Sequence, residues 1–188
     1  STHGTISTRT AELGAASSLC EHRVPGDACV KCHPALAAEF KKGGDWCAEH
    51  DVPESQCLIC HPDLTFDPLP ALNATADLTW LSRQGEAVGP LADRAVKGKV
   101  TVFDFYADWC APCRKVDLFL YAAVNQRPEL AVRKLNVVSW ETPLAAEHMK
   151  DVPTLPHLVV LGRDGRQVRV ISGFKLDELE AAIEEASR

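Results

Sequence analysis

The sequence predicts an α/β domain that follows a small cysteine-rich module, and three observations lead to this prediction. Beyond residue 100, short apolar strands alternate with segments whose apolar residues recur at helical spacing. The pair Cys110-Ala-Pro-Cys113 lies where the first of these strands gives way to a helix. Before residue 70, one pattern of cysteines and histidines occurs twice. A chain of 188 residues is long enough for one full core and a small appended module.

The predicted elements of the larger domain follow the order β-α-β-α-β-β-α. Residues 100–106 form a continuous apolar strand in which Asp104 is the sole carboxyl, and a buried carboxyl needs a partner or a function. Residues 114–126 have the apolar spacing of a helix, which Arg127-Pro128 ends. The remaining elements are a strand over 130–138, a short helix over 144–150, a hairpin of strands over 157–161 and 167–171, and a helix that begins at Asp177.

The Cys110 and Cys113 pair has the sequence context of a dithiol redox site. The unpaired N–H groups and partial positive charge of a helix N-terminus favour a thiolate over a thiol, so Cys110 is the predicted nucleophile. In thiol–disulfide exchange, a thiolate attacks one sulfur of a substrate disulfide, and Cys113 would then resolve the mixed disulfide. A metal knuckle and a structural disulfide are the alternatives.

Residues 106–114, Tyr-Ala-Asp-Trp-Cys-Ala-Pro-Cys-Arg, resemble the thioredoxin superfamily, and in particular the periplasmic C-terminal domain of DsbD proteins and TlpA-like periplasmic thioredoxins. The resemblance covers about residues 72–188. It implies the thioredoxin fold, a central mixed sheet flanked by helices. It also implies a disulfide-bearing protein substrate, a membrane electron donor of the DsbD/CcdA type, and a role as reductant.

The same resemblance adds further residues to the predicted catalytic site. Asp104 matches the buried acid of the family, and Lys134 matches the lysine that pairs with it. Pro156 matches the active-site cis-proline, because it lies nine residues before Gly165, whereas Pro153 lies three residues too early. Trp109, directly before the first cysteine, completes the set. Asp104, tuned by Lys134, is the predicted proton acceptor for Cys113, and a purely structural ion pair is the alternative.

The cysteine-rich module contains two copies of a pattern with one Cys, one His and a Cys-x-x-Cys pair. Three cysteines and one histidine are the ligands of a tetrahedral zinc site, so the sequence predicts two zinc sites. A segment with so few large apolar residues needs metal or crosslinks to fold. The predicted ligands are Cys20, His22, Cys29 and Cys32 in the first copy and Cys47, His50, Cys57 and Cys60 in the second.

Two other interpretations of the repeat remain open. Each Cys-x-x-Cys is followed by His, which is the spelling of a c-type haem attachment site, with Cys29, Cys32 and His33 in one copy and Cys57, Cys60 and His61 in the other. A haem would need neither of the leading cysteines Cys20 and Cys47, which argues against it. The other interpretation is disulfides, and the odd number of cysteines in each copy argues against disulfides that close within one copy.

The second copy also resembles the Cys-rich modules of periplasmic adaptor subunits in heavy-metal RND efflux systems. Residues 46–62 reproduce the pattern Trp-Cys-x-Glu-His-x-Val-Pro-Glu-Ser-x-Cys-x-x-Cys followed by His-Pro almost throughout. The first copy departs from it, because it lacks the Trp and has Pro-Gly-Asp in place of Pro-Glu-Ser. The resemblance implies metal binding and possible heavy-metal efflux partners.

Charge and composition predict the domain limits and the setting. Residues 1–70 contain ten Asp and Glu but five Lys and Arg, which suits a cation site and argues against nucleic acid. The sequence contains no run of 18 apolar residues, so it predicts no membrane span. The predicted regions are a flexible segment over 1–18, the module over 19–66, a linker over 67–76 and the thioredoxin-like domain over 77–188. The polar first segment is typical of an exported chain or of a stalk after a trimmed anchor.

Together, these expectations predict that the protein is a periplasmic thiol–disulfide oxidoreductase that carries two zinc sites and takes part in heavy-metal handling. Two alternatives belong to other classes of protein. One is a di-haem c-type cytochrome fused to a thioredoxin domain for electron transfer. The other is a metal-binding or docking protein without significant redox turnover.

Overall fold

A computed structural model of the chain describes residues 18–188, so most of the predicted flexible segment lies outside the described residues. Within this range, five strands form one sheet: β1 (Asp77–Ser82), β2 (Val100–Tyr106), β3 (Leu130–Asn136), β4 (His157–Leu161) and β5 (Gln167–Ser172). Four α-helices accompany them: α1 (Leu36–Lys42), α2 (Ala111–Gln126), α3 (Pro143–His148) and α4 (Leu176–Ala186). None of the described helices combines the length and the apolarity needed to cross a bilayer.

The sheet has the strand order β1-β3-β2-β4-β5 and confirms the predicted thioredoxin fold. β1, β3 and β2 run parallel, whereas β4 and β5 are antiparallel to their neighbours. The connection from β2 through α2 to β3 is the crossover that two parallel strands require. It carries the chain from the end of β2 directly into Cys110 and α2, so the sheet determines where the dithiol lies.

The structure differs from the sequence prediction at several element ends: α3 ends at His148 instead of residue 150, and α4 begins at Leu176 instead of Asp177. Three further differences concern the sheet and the dithiol helix. β1 was not predicted, because Asp77–Ser82 is a short strand at the sheet edge and only two of its six residues are buried. The predicted strand over 130–138 ends at Asn136, since Val138 has a φ of 65°, which interrupts an extended chain. α2 begins at Ala111, earlier than the apolar spacing indicates, because Cys110 caps the helix.

Two apolar layers cover the sheet. On one face, Val100, Val102 and Leu158 pack against buried side chains of α2 and α4. On the other face, Phe103 and Phe105 pack against α3 and the segment around Val88. The second layer includes Cys110 and Cys113, so the dithiol lies at the edge of the core.

The Cys/His module, residues 19–66, is built from turns, two isolated β-bridges, α1 and a short 3₁₀ helix over Glu54–Gln56. Its buried side chains other than cysteines are few: Val24, Pro25, Val30, Phe40, Pro53 and Gln56. The Gln56 side-chain amide donates a hydrogen bond to the Ala28 carbonyl at 2.7 Å and thereby joins the second copy to the first. So small a core cannot offset the conformational entropy of about fifty ordered residues, so this module depends on crosslinks or metal.

The predicted linker, residues 67–76, is held against the sheet domain. The Asn125 amide donates to the Ala71 carbonyl at 2.8 Å, and the Arg114 guanidinium donates to the Asp67 carbonyl at 3.0 Å. Leu69 and Leu72 pack on the apolar layer that contains α2. The end of the module is therefore fixed beside the helix that carries the dithiol, while the predicted domain limits themselves stay predictions.

Truncation of the core under α2 tests the fold. Leu120 is fully buried in the layer beneath α2, and Leu120→Ala is expected to lower the free energy of unfolding by about 2–5 kcal/mol, because it leaves a cavity. Urea denaturation monitored by tryptophan fluorescence measures the change. Leu19→Ala removes a side chain that is half exposed and serves as the control, and equal losses in the two variants would contradict the packing described here.

Candidate active site and metal centres

The dithiol lies at the N-terminus of α2, where the sequence places it. Cys110 is the N-cap of the helix, and it forms a disulfide with Cys113. The backbone N–H of Cys113 donates to the Cys110 sulfur at 3.3 Å. Pro112 occupies the first turn, where its missing N–H removes no helical hydrogen bond. In the reduced protein, a thiolate at Cys110 would meet the same N–H group and the positive end of the helix dipole.

A buried group of three charges lies behind the dithiol. Asp104 and Lys134 are paired in register on β2 and β3, and the Lys134 ammonium lies 3.3 Å from Asp104 Oδ2. The ammonium donates its hydrogen bond to Asp117, which is one helical turn beyond Cys113 on α2. Neither oxygen of Asp104 has a hydrogen-bond partner among the described residues. The structure thus brings Asp104 and Lys134 together as predicted and adds Asp117, which the sequence analysis missed.

Burial dominates the ionisation of this group. It raises the pKa of the Asp104 carboxyl to about 7, although the Lys134 ammonium opposes the rise, and the Asp117 carboxylate adds to it. Burial alone would lower the pKa of Lys134, but the carboxylates of Asp117 and Asp104 raise it above its ordinary value. Lys134 therefore stays charged, and Asp104 is the member of the group that gains or loses a proton near neutral pH.

A small cavity of about 60 Å³ connects the dithiol with these charges. Cys110, Cys113 and Asp117 line it together with Asp108 and Asp27 of the module. Burial, with a smaller contribution from the Asp27 carboxylate, raises the pKa of Asp108 to about 6. A polar cavity of this size has room for water, which would let a proton pass between Cys113 and Asp117.

Trp109 and Pro156 frame the other side of the dithiol. The Leu155–Pro156 peptide bond is cis, as the sequence analysis expects, whereas the peptide bond before Pro153 is not cis. The Trp109 indole donates to the Val138 carbonyl at 2.6 Å, and its ring lies 6.2 Å from that of Trp140. Trp109 and Cys110 share a cavity with Thr154 and Leu155, so the chain before Pro156 borders the dithiol.

The described part of the module contains two groups of potential metal ligands, and they are the predicted ones. Each group has three cysteine sulfurs and one histidine nitrogen that lie within 4.8 Å of one another. In the first group, each of the three sulfurs lies 3.6 Å from His22 Nδ1. In the second, the distances to His50 Nδ1 are 3.4, 3.5 and 3.4 Å, and the Cys47 and Cys60 sulfurs are 3.8 Å apart.

These distances fit a tetrahedral zinc ion. With Zn–S bonds of about 2.3 Å and Zn–N bonds of about 2.0–2.1 Å, a tetrahedron has S···N edges of about 3.6 Å and S···S edges of about 3.8 Å. Disulfides within the module do not fit, because all six of its cysteines are free. Both groups could therefore hold a divalent cation of the size and preference of zinc.

The electrostatics of the second group also favour a cation. The backbone N–H of Cys60 lowers the pKa of Cys57 to about 7, whereas hydrogen bonds with the Cys57 and Cys47 sulfurs raise the pKa of Cys60 to about 12. Sulfurs this close cannot all become thiolates at neutral pH without a positive charge among them. A divalent cation supplies that charge and releases the protons.

The geometry favours metal over haem in the repeat. Both sulfurs of each Cys-x-x-Cys point to the histidine of their own group, and Cys20 and Cys47 complete the two tetrahedra. His61, which a haem would require as its axial ligand, lies outside the group, and its Nε2 is 2.8 Å from Glu54 Oε1. His33 is likewise outside the first group.

Comparison with known proteins concerns the sheet domain. The thioredoxin family profile matches residues 92–185. This protein belongs to the thioredoxin family. Its relatives include a thioredoxin of Chlamydia trachomatis serovar D, 31% identical over 84 residues that cover 45% of this chain and 78% of that protein. Another is the chloroplastic F-type thioredoxin of Brassica napus, 38% identical over 95 residues that cover half of each chain.

A solved structure is similar over the same region. Mitochondrial thioredoxin 3 from Saccharomyces cerevisiae is 26% identical to this chain, covers 60% of it and 99% of its own length, and superposes with a TM-score of 0.46. Family membership and the Cys110–Cys113 disulfide identify the chain as a thiol–disulfide oxidoreductase. The family match begins at residue 92, so the metal groups rest on their own geometry.

Two acids of the site were missed by the sequence analysis. Asp117 could have been found from its spacing, because the residue four positions after Cys113 lies on the same face of α2. Asp108 is part of the quoted motif, but its burial depends on contacts with the module, which no local pattern predicts.

The raised pKa of Asp104 predicts a pH-dependent stability. The ordinary pKa of the carboxyl is 3.8, and its pKa in the folded protein is about 7. At pH values between these two, the folded protein holds a proton on Asp104 that the unfolded chain has released. The contribution of this carboxyl to the free energy of unfolding is therefore fully present below pH 3.8 and is lost as the pH rises through about 7. Asp104→Asn has no titrating carboxyl at this position, so its free energy of unfolding should not show this decrease as the pH rises. In the oxidised protein, the variant is expected to gain on the order of 2–3 kcal/mol relative to wild type between pH 5 and pH 8.

Urea unfolding at several pH values measures this difference, and Asp77→Asn is the control. Asp77 is partly buried, which raises its pKa, but hydrogen bonds from Arg133 and Lys99 lower the pKa below its ordinary value, so Asp77→Asn is expected to lose stability at pH 8. If the wild-type and Asp104→Asn curves ran parallel from pH 5 to pH 8, Asp104 would not titrate as described.

The ligand geometry predicts the metal content. The purified chain is expected to contain two zinc ions and to lack a Soret band, and Cys32→Ser or Cys60→Ser should each remove one ion. His61→Ala is the matched control, because His61 follows the same Cys-x-x-Cys but lies outside the group, and it should leave both ions in place. Atomic absorption and a visible spectrum of one sample decide between metal and haem.

Proposed function

We propose that the protein is a periplasmic thiol–disulfide reductase that carries a two-zinc module and acts in a metal-handling envelope. The observation that supports the reductase activity best is the dithiol at the N-terminus of α2 with a buried, protonable acid behind it. Family membership supplies the reaction class, and the substrate is a protein disulfide.

In the proposed reaction, the Cys110 thiolate attacks one sulfur of the substrate disulfide and forms a mixed disulfide. The second substrate sulfur leaves as a thiolate and takes up a proton. Cys113 then loses its proton, attacks the Cys110 sulfur and releases the substrate as a dithiol. The enzyme is left with the Cys110–Cys113 disulfide seen in the structure, and two electrons from a donor restore the dithiol.

The buried charges support the resolving step. Cys113 is almost fully buried, so its thiol cannot lose a proton directly to bulk water. Asp117 shares a cavity with Cys113 and is hydrogen-bonded to Lys134, which lies beside Asp104. A group with a pKa of about 7 can accept that proton and release it again at neutral pH.

The zinc module supports the proposed compartment. In an oxidising compartment, free cysteines persist when they are ligated, paired or kept reduced by a donor. Zinc held by Cys20, His22, Cys29 and Cys32, and by Cys47, His50, Cys57 and Cys60, would supply structural crosslinks and protect all six thiolates. A membrane donor of the DsbD/CcdA type and substrates among heavy-metal efflux components are the proposed partners, on the strength of this fusion.

Substitution of the two cysteines tests the proposal and distinguishes it from a docking protein without turnover. Cys110→Ser is expected to abolish insulin reduction, because the nucleophile is lost. Cys113→Ser should form a mixed disulfide with substrate that accumulates, since nothing resolves it. Activity is followed by insulin precipitation, and the mixed disulfide by non-reducing electrophoresis and mass spectrometry.

The control for these variants is the metal content, which should stay at the wild-type level in both, because neither cysteine belongs to a ligand group. Full insulin reduction by Cys110→Ser would rule out the reductase proposal and leave the docking function as the better explanation.

A further inference from the structure

α1 of the module borders cavities that Cys110 of the dithiol also borders. Within α1, all of which the structure describes, Phe40 is the one fully buried side chain, with 1% of its surface exposed. In the described part of the chain, it belongs to neither apolar layer of the sheet. Phe40 instead lines two cavities, and both cavities are also lined by Cys110, Ala111 and Pro112. Its burial therefore does not come from packing into either apolar layer of the sheet.

The two cavities are the approaches to Cys110. One, of about 380 Å³, is largely apolar and includes Phe66 and Leu118. The other, of about 420 Å³, is bordered by Trp109, Trp140 and the chain before Pro156. Because Phe40 and Cys110 both line the two cavities, Phe40 borders each approach to the first cysteine. Cys110 itself is only 7% exposed, which is little for a nucleophile that must reach a protein disulfide.

The two ligand groups hold α1 in this place. α1 begins four residues after Cys32 and ends five residues before Cys47, so a ligand of each group flanks it closely. A helix of seven residues is not stable by itself in water. The module around it has a small apolar core, so the ion at each end of the segment is what would fix its position.

We infer that Phe40 determines which disulfides reach Cys110, and that metal in the two Cys₃His groups keeps Phe40 in place. The metal-loaded protein then accepts disulfides on small molecules and narrow extended segments, and it discriminates against bulky protein disulfides. Loss of metal frees α1 and opens the site. The inference rests on the proposed function for its substrates, but the accessibility of the Cys110 sulfur can be measured without any turnover.

The test measures alkylation of Cys110 in the full chain. In a Cys113→Ser background, Cys110 is the one thiol in its tryptic peptide, and mass spectrometry after timed exposure to iodoacetamide gives its rate. Phe40→Ala is expected to increase this rate several-fold, and Phe40→Leu to increase it less. Ile59→Ala is the matched control, because Ile59 is an exposed apolar side chain of the module that lines neither cavity, and its rate should equal that of the parent.

A chelator tests the dependence on metal. Removal of zinc should raise the alkylation rate of the parent to that of Phe40→Ala and should have no further effect in Phe40→Ala. Zinc content and circular dichroism of each variant show whether the module remains folded before chelation. A Phe40→Ala rate equal to the Ile59→Ala rate would overturn the role of Phe40, and a parent rate that chelation leaves unchanged would overturn the role of metal.

Selectivity is measured in the protein with both active-site cysteines. Phe40→Ala should raise kcat/KM for insulin several-fold and leave kcat/KM for hydroxyethyl disulfide unchanged, because the small disulfide already enters. An equal change for both substrates would contradict steric selection. If Cys110→Ser kept full activity, the proposed function would fail, yet the alkylation rates would still decide whether Phe40 covers the cysteine.

Discussion

One buried ammonium, that of Lys134, organises the active half of this protein. It lies between the carboxylates of Asp104 and Asp117 and so ties β2, β3 and α2 together beneath the dithiol. Burial and the neighbouring Asp117 carboxylate disfavour ionised Asp104 more than the Lys134 ammonium favours it, so the pKa of Asp104 is raised to about 7. The interaction that joins the elements thus also leaves a buried carboxyl that titrates near neutral pH, and this carboxyl is the proton acceptor proposed above.

The module follows a different physical rule. Its few buried apolar side chains cannot order it, whereas two tetrahedral groups of three sulfurs and one nitrogen can, once each holds a cation. The segment between these groups carries Phe40 onto the active-site turn, and Gln56 joins the two copies through the Ala28 carbonyl. The module whose two groups could hold metal therefore lines cavities that the dithiol also lines.

The chemistry of the eight cysteines is divided by position. Two lie at a helix N-terminus, where their sulfurs are bonded to each other and where Cys110 borders two cavities. Six lie in the ligand groups, where crowding favours thiolates that are held by a cation. A sulfur that exchanges with substrate disulfides must be accessible, whereas a sulfur that ligates a structural metal must be fully coordinated. The fold keeps the exchanging cysteines and the ligand cysteines in separate sites of one small chain.

Local sequence determined the dithiol, the ligand sets and most of the strands. The spacing of a Cys-x-x-Cys pair, a run of apolar residues and the change from strand to helix at Cys110 are all short-range properties of the sequence. Tertiary structure decided the rest. β1 forms because β3 offers it an open edge, and β3 ends at Asn136, before the chain turns at Val138, whose carbonyl accepts the Trp109 hydrogen bond. Asp117 reaches Lys134 only when α2 packs on the sheet, and Phe40 shares a cavity with Cys110 only when the module lies beside the active-site turn. These contacts join residues that are distant in the chain, and no local pattern encodes which distant surfaces will meet.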